Sequence, residues 1–147
     1  MRKLVIIFIL TLASTLHAQS VLVNDTKQRH QIIQTYLSKL NQLDADGAIE
    51  LFIQEGIVIS RHQGEVKVVD FFPAFVEKFV KLEMKELMFF KTNNKDFYAL
   101  EIGSTGIKTT GEPVSATFMV IFQFAKNDNR FEKITIFAND TLTYPPR

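Results

Sequence analysis

The sequence predicts an α+β domain, with helices first and an antiparallel sheet packed against them afterwards. Three observations carry this. Apolar residues recur at intervals of three and four in the first half of the chain. From Leu82 to Ala138, four β-rich runs are divided by turn signals. No internal repeat, low-complexity tract or linker breaks the pattern, so one domain is expected.

The chain opens "MRKLVIIFILTLASTLHAQS", with the three parts of a secretory signal. Arg2 and Lys3 form the positive start, Leu4 to Ala13 the apolar run, and small or polar residues follow up to Ala18. The apolar run is about ten residues, well short of the roughly twenty that cross a bilayer. Cleavage after Ala18 is therefore favoured over an uncleaved anchor, giving a signal peptide over 1–18 and a single domain over 19–147. No cysteine follows the run to carry a lipid. A periplasmic or secreted product follows, with no membrane insertion after signal cleavage.

Of 17 basic and 16 acidic side chains, loss of Arg2 and Lys3 leaves 15 and 16, a formal charge of −1. That balance offers nothing to nucleic acid or to an anionic membrane. With no cysteine, the domain holds together by its core alone, and 14 phenylalanines with no tryptophan make that core aromatic. Two N-x-T triplets, Asn24-Asp25-Thr26 and Asn139-Asp140-Thr141, carry little weight in a bacterial periplasm.

Along the chain, Ile32, Ile33, Tyr36, Leu37, Leu40 and Leu43 mark one face of a helix over 26–43. Asp44 suits the N-cap of a short second helix ending near Phe52, with Asp46 in its first turn. "GIVIS" (56–60) reads as a strand and Gly64 as a turn. A third helix begins at Asp70 as cap, with Pro73 in its first turn and Phe72, Phe75, Val76, Phe79 and Val80 as its buried stripe. Strands follow over 82–91, 97–104, 114–124 and 131–138.

The segments "YLSKLNQLDADGAIELFIQEGIVIS" (36–60) and "FMVIFQFAKNDNRFEKITIFAND" (118–140) resemble the NTF2-like superfamily, which includes SnoaL-like proteins and ketosteroid isomerases. The resemblance covers the mature chain. It implies a cone: three N-terminal helices packed on a curved antiparallel sheet. It also implies that Tyr36 stands where the isomerases keep an oxyanion donor, Ser60 where they keep the general-base aspartate, and Val120 where they keep a protonated aspartate. A serine hydroxyl is far too weakly acidic to serve as that base near neutral pH, and valine has no donor, so enolate chemistry of that type is not expected.

Strand parity then selects cone-facing residues. With Ser60 inward, Val58 and His62 also face in; Ala116, Phe118, Val120, Phe122 and Phe124 form one inner face, and Tyr98, Leu100 and Ile102 the next. Phe72, Phe75 and Phe79 of the third helix are core or ligand wall. Glu86 interrupts the face Leu82, Met84, Met88, Phe90. Either it is a pocket carboxylate opposite His62 or Tyr36, or a β-bulge near Lys85-Glu86 sends it to solvent. His62, beside Gly64, reads as a general base only if it finds a partner; otherwise it is an exposed turn residue. No spacing for a metal or phosphate-bearing cofactor occurs, so none is expected.

The leading expectation is an exported domain that binds a small apolar molecule in its cone. Tyr36, Ser60, His62, Phe72, Phe75, Phe79, Tyr98, Phe118, Val120 and Phe122 are its candidate contacts. One rival is an acid–base enzyme using Tyr36, His62 and Glu86. Another is an interaction module with a filled cone, dimerising through the outer sheet face of Thr117, Met119, Ile121 and Gln123.

Overall fold

The computed structural model of the chain describes residues 25–138. The expected signal segment 1–18 and the closing Asn-Asp-Thr triplet lie outside them. The chain divides into two compact units, Met1–Ile33 and Gln34–Arg147. Of the first, residues 25–33 are helical; Arg29 Nε lies 3.3 Å from an Asp25 carboxylate oxygen one turn earlier. Helix α1 runs over 25–41, so its last eight residues open the second unit.

In the second unit the elements are α2 (Ala45–Ile49), β1 (Phe52–Ser60), β2 (Gly64–Lys67), α3 (Val68–Val76), β3 (Phe79–Lys91), β4 (Phe97–Lys108), β5 (Pro113–Phe124) and β6 (Phe131–Ala138). The six strands form one sheet in the order β2-β1-β6-β5-β4-β3. The α+β class holds, with two refinements. The sheet is mixed, because β1 runs parallel to β6 while every other pair is antiparallel. The third helix sits between β2 and β3, after the first hairpin.

Local chemistry explains the breaks. Past α1, Leu43 adopts a left-handed φ of 56°, and the Asp44 N–H reaches back to the Lys39 carbonyl at 2.9 Å. Asp44 caps α2 as expected: its Oδ1 accepts from the Gly47 N–H at 2.8 Å. The Lys39 ammonium, 2.8 Å away, and that N–H hold the Asp44 carboxyl below its ordinary range. These acids are helix-start chemistry, not a catalytic pair.

Boundaries differ from expectation at several elements; β4, for one, runs to Lys108 and not to Ser104. β1 starts at Phe52, not at Gly56. The register breaks between Phe52 and Ile57, and a Cβ at Gly56 would sit 2.7 Å from the Phe52 Cβ; the glycine permits an irregular strand instead of ending one. α3 starts at Val68, without a side-chain cap, and Pro73 lies inside it. It ends at Val76, so Phe79 and Val80 open β3 and do not extend the helical stripe.

β3 is an edge strand, and Asn41 of α1 closes part of that edge. Its side-chain amide donates to the Met84 carbonyl at 3.0 Å and accepts from the Met84 N–H at 2.6 Å. A side chain thus supplies both bonds that a seventh strand would give. Further along, the β3–β4 register shifts between Glu86 and Met88. A bulge therefore exists, one residue later than expected, at Leu87. Beyond it the faces swap: Phe89 turns in and stacks on Tyr98 at 5.6 Å, while Met88 and Phe90 are exposed.

Candidate functional site

One end of the cone is filled. Tyr36 is the hub, with its ring edge-on to Phe52, Phe72, Phe122 and Phe131 at centroid distances of 6.5, 5.9, 5.5 and 6.0 Å. Phe124 meets Phe131 at 4.8 Å, and Tyr98 meets Phe124 at 5.7 Å. Edge-on geometry sets the positive rim of one ring against the negative face of the next.

The other end is a cavity of about 260 Å³. Tyr36 and Leu40 of α1, Phe71 and Phe75 of α3, and Phe79 and Met84 of β3 form one side. Ile102 and Ser104 of β4, Val114, Ala116 and Phe118 of β5, and Ile136 and Ala138 of β6 form the sheet side. Among the described residues the lining holds no acid, histidine, lysine or arginine. Its polar side-chain groups are two hydroxyls, those of Tyr36 and Ser104.

Both residues are buried, with Tyr36 3 % and Ser104 9 % exposed, while their hydroxyl oxygens open onto the cavity. Among the described residues, neither has a hydrogen-bond partner. Buried tyrosine hydroxyls ordinarily find one. Burial also pushes the Tyr36 pKa far above the usual tyrosine value. The group stays protonated at any physiological pH and serves as a donor, not a base.

The expected contacts separate into three sets. Tyr36, Phe75, Phe79 and Phe118 line the cavity. Ser60 and His62 lie on an adjoining basin instead, whose lining includes Phe71, Phe75, Ile136 and Ala138 as well. Phe72, Tyr98, Val120 and Phe122 belong to the packed end: each is at most 1 % exposed and none lines the cavity. Parity named the correct face for Tyr98, Val120 and Phe122, but the ring cluster around Tyr36 fills that part of it.

The triad Tyr36, His62 and Glu86 does not assemble around one cavity. Glu86 accepts a hydrogen bond from the Gln34 side-chain amide and lines neither cavity nor basin. Ser60 is engaged in a turn, its Oγ accepting from the Gln63 N–H at 3.2 Å. Leu40, Phe71, Met84, Ser104, Val114, Ile136 and Ala138 were not anticipated as lining. Parity could have found Ser104, the next inward position after Ile102.

No protein-family model matches the chain, and no curated protein matches it in sequence. Solved structures do match it in shape. An NTF2-like protein of unknown function from Exiguobacterium sp. 255-15 aligns with a TM-score of 0.64 at 13% identity, covering 75% of this chain and 99% of that one. The fold is NTF2-like. The epoxide hydrolase/cyclase-like enzyme SalBIII, which has a role in pyran ring formation in the polyether salinomycin, shares the NTF2-like architecture. It aligns at a TM-score of 0.70 and 14% identity, over 80% of this chain and 95% of that one. A phenazine biosynthesis-related protein from Pseudomonas aeruginosa aligns at 0.65 and 15% identity, over 80% and 78%.

Proposed function

We propose that this protein acts after export and binds a small, largely apolar molecule carrying a hydrogen-bond acceptor, such as a carbonyl or ether oxygen. The observation that carries this reading is the pair of hydroxyls, Tyr36 and Ser104, that open without a protein partner into an otherwise apolar cavity. An acceptor on the ligand would satisfy them where no protein group does, while the apolar walls supply burial. That a structural neighbour works in forming a polyether ring is in keeping with oxygenated apolar molecules as occupants of such a cone. Among the described residues the lining offers a proton donor but no base, which favours binding over acid–base turnover.

The test uses the full chain and a neutral fluorescent apolar probe, N-phenyl-1-naphthylamine, displaced by a ketone such as 2-decanone. Saturable binding is expected, and Ala116→Trp, which fills the cavity from β5, should weaken it at least about tenfold, a loss of about 1.4 kcal/mol. Undiminished binding in that variant would refute the cavity as the site.

A second reading concerns the outer face, and it is compatible with the first. By strand register, Met88, Glu101, Met119 and Phe137 form one row across β3 to β6, and Phe90, Ala99, Ile121 and Thr135 the next. Met88 is 51 % and Phe137 53 % exposed. We propose that two copies pair through this apolar patch. Sedimentation should then give a dimer for the parent chain and a monomer for Met119→Lys/Phe137→Glu. A monomeric parent at micromolar concentration would end this reading.

A further inference from the structure

The inward side chains of β4 shrink toward one end of the strand: Tyr98, Leu100, Ile102, Ser104 and then Gly106. The cavity occupies the end where they are small, with Ala116 of β5 paired to Ser104. Gly106 is the extreme. A Cβ there would lie 2.6 Å from the Lys81 carbonyl oxygen, so β3 leaves no room for a side chain. Space thus explains a small residue at position 104, but not a polar one. Alanine would fill the same place without a hydroxyl to desolvate.

The backbone opposite Ser104 is already engaged. Met84 pairs with Ser104 from β3, and both its N–H and its carbonyl bond the Asn41 side chain, at 2.6 and 3.0 Å. The Ser104 hydroxyl therefore opens onto the cavity, as that of Tyr36 does, but at a different level. Tyr36 is fixed at the packed end, its ring 5.5 Å from that of Phe122, which pairs with Tyr98. Ser104 lies three inward positions beyond Tyr98, about 20 Å along an antiparallel strand. The paired residues Ile102 and Phe118, both apolar, form the row before it. Donating to one shared acceptor would require the two hydroxyl oxygens within about 5.6 Å of each other. The register instead favours one acceptor for each.

We propose that the ligand carries two oxygen functions separated by an apolar spacer: one accepts from Tyr36, the other pairs with Ser104, and the spacer lies along Ile102 and Phe118. The inference rests on the cavity reading given above and adds a second anchor to it. Ser104 then sets specificity by position. A serine hydroxyl rotates to donate or to accept, so the second group is a carbonyl, an ether or a hydroxyl. Any such oxygen sheds water on entering the cavity. At the level of Ser104 it regains a hydrogen bond; elsewhere along the spacer it faces apolar walls and its desolvation is uncompensated.

The experiment compares three ten-carbon competitors for the N-phenyl-1-naphthylamine probe on the full chain: 2,9-decanedione, 2,5-decanedione and 2-decanone. The two diones are isomers that differ in where the second oxygen stands. On the parent chain, 2,9-decanedione should displace the probe about tenfold more tightly than 2,5-decanedione. Ser104→Ala should bring the isomers level, and should weaken 2,9-decanedione more than 2-decanone. The substitution removes one oxygen that no protein group bonds, so the fold is expected to survive, which unfolding midpoints would verify. Binding of 2,9-decanedione no tighter than its isomer, or a preference that survives Ser104→Ala, overturns the second anchor and leaves the cavity reading intact. Equal losses of 2-decanone and 2,9-decanedione in the variant do the same, since both hydroxyls would then grip one oxygen. Displacement by none of the three overturns both.

Discussion

Phe131→Ala is expected to lower unfolding stability by about 3–5 kcal/mol, the upper range for removing a buried aromatic. Phe131 is fully buried and meets four rings: Tyr36, Phe52, Phe122 and Phe124. It also stands where β6 joins both neighbours, paired with Phe52 of β1 and Phe124 of β5, and its N–H donates to the Leu51 carbonyl at 2.8 Å. Replacement removes the ring's transfer free energy and leaves a void walled by rigid phenylalanines that cannot collapse into it. A domain stable by about 5–15 kcal/mol would lose about a fifth or more of that margin. Val69→Ala, an exposed position on α3, should change stability by about 0.5 kcal/mol or less. Denaturant midpoints measure both, and similar losses at the two positions would mean that the packed end of the cone is not the main source of stability.

The sequence foretold the elements whose signals are local. The α1 stripe, the Asp44 cap and the alternation along β4 and β5 depend only on neighbours in the chain, and each was legible. What failed depends on distant partners. β2 is four residues, Gly-Glu-Val-Lys, with no apolar alternation; it is a strand because β1 offers it an edge. The parallel pairing of β1 with β6 joins segments some eighty residues apart, which no periodicity encodes. Phe75 and Phe79 fit a helical repeat as well as they fit a helix end followed by a strand, and only the backbone turn after Val76 separates the two.

For the site, parity gave direction but not depth. Ala116, Phe118, Val120 and Phe122 share one face of β5, yet Phe118 lines a cavity while Phe122 packs against Tyr36. The difference is where the helices end above the sheet, a tertiary fact. Glu86 shows the converse limit. An apolar face interrupted by a carboxylate signals a bulge without saying which residue is extra, and here it is Leu87, leaving Glu86 to bond Gln34.

Tyr36→Phe should separate stability from function. In the free protein the hydroxyl opens onto the cavity without a protein hydrogen-bond partner, so removing it is expected to change stability by about 1 kcal/mol or less. Binding of a ligand with an acceptor oxygen should instead weaken about tenfold, because that ligand loses its donor. A hydrocarbon of equal length, having no acceptor, should bind both proteins alike. The pH dependence gives an independent check. Burial raises the folded-state pKa of Tyr36 above the ordinary value near 10, so above pH 10 the unfolded chain releases this proton while the folded chain keeps it. Unfolding then becomes more favourable as pH rises, by up to about 1.4 kcal/mol per unit from this one group. That share of the alkaline loss should be absent in Tyr36→Phe. If the variant loses more than about 2 kcal/mol at neutral pH, or binds ketone and hydrocarbon as the parent does, the hydroxyl is a packing element and the ligand contact assigned to it is wrong.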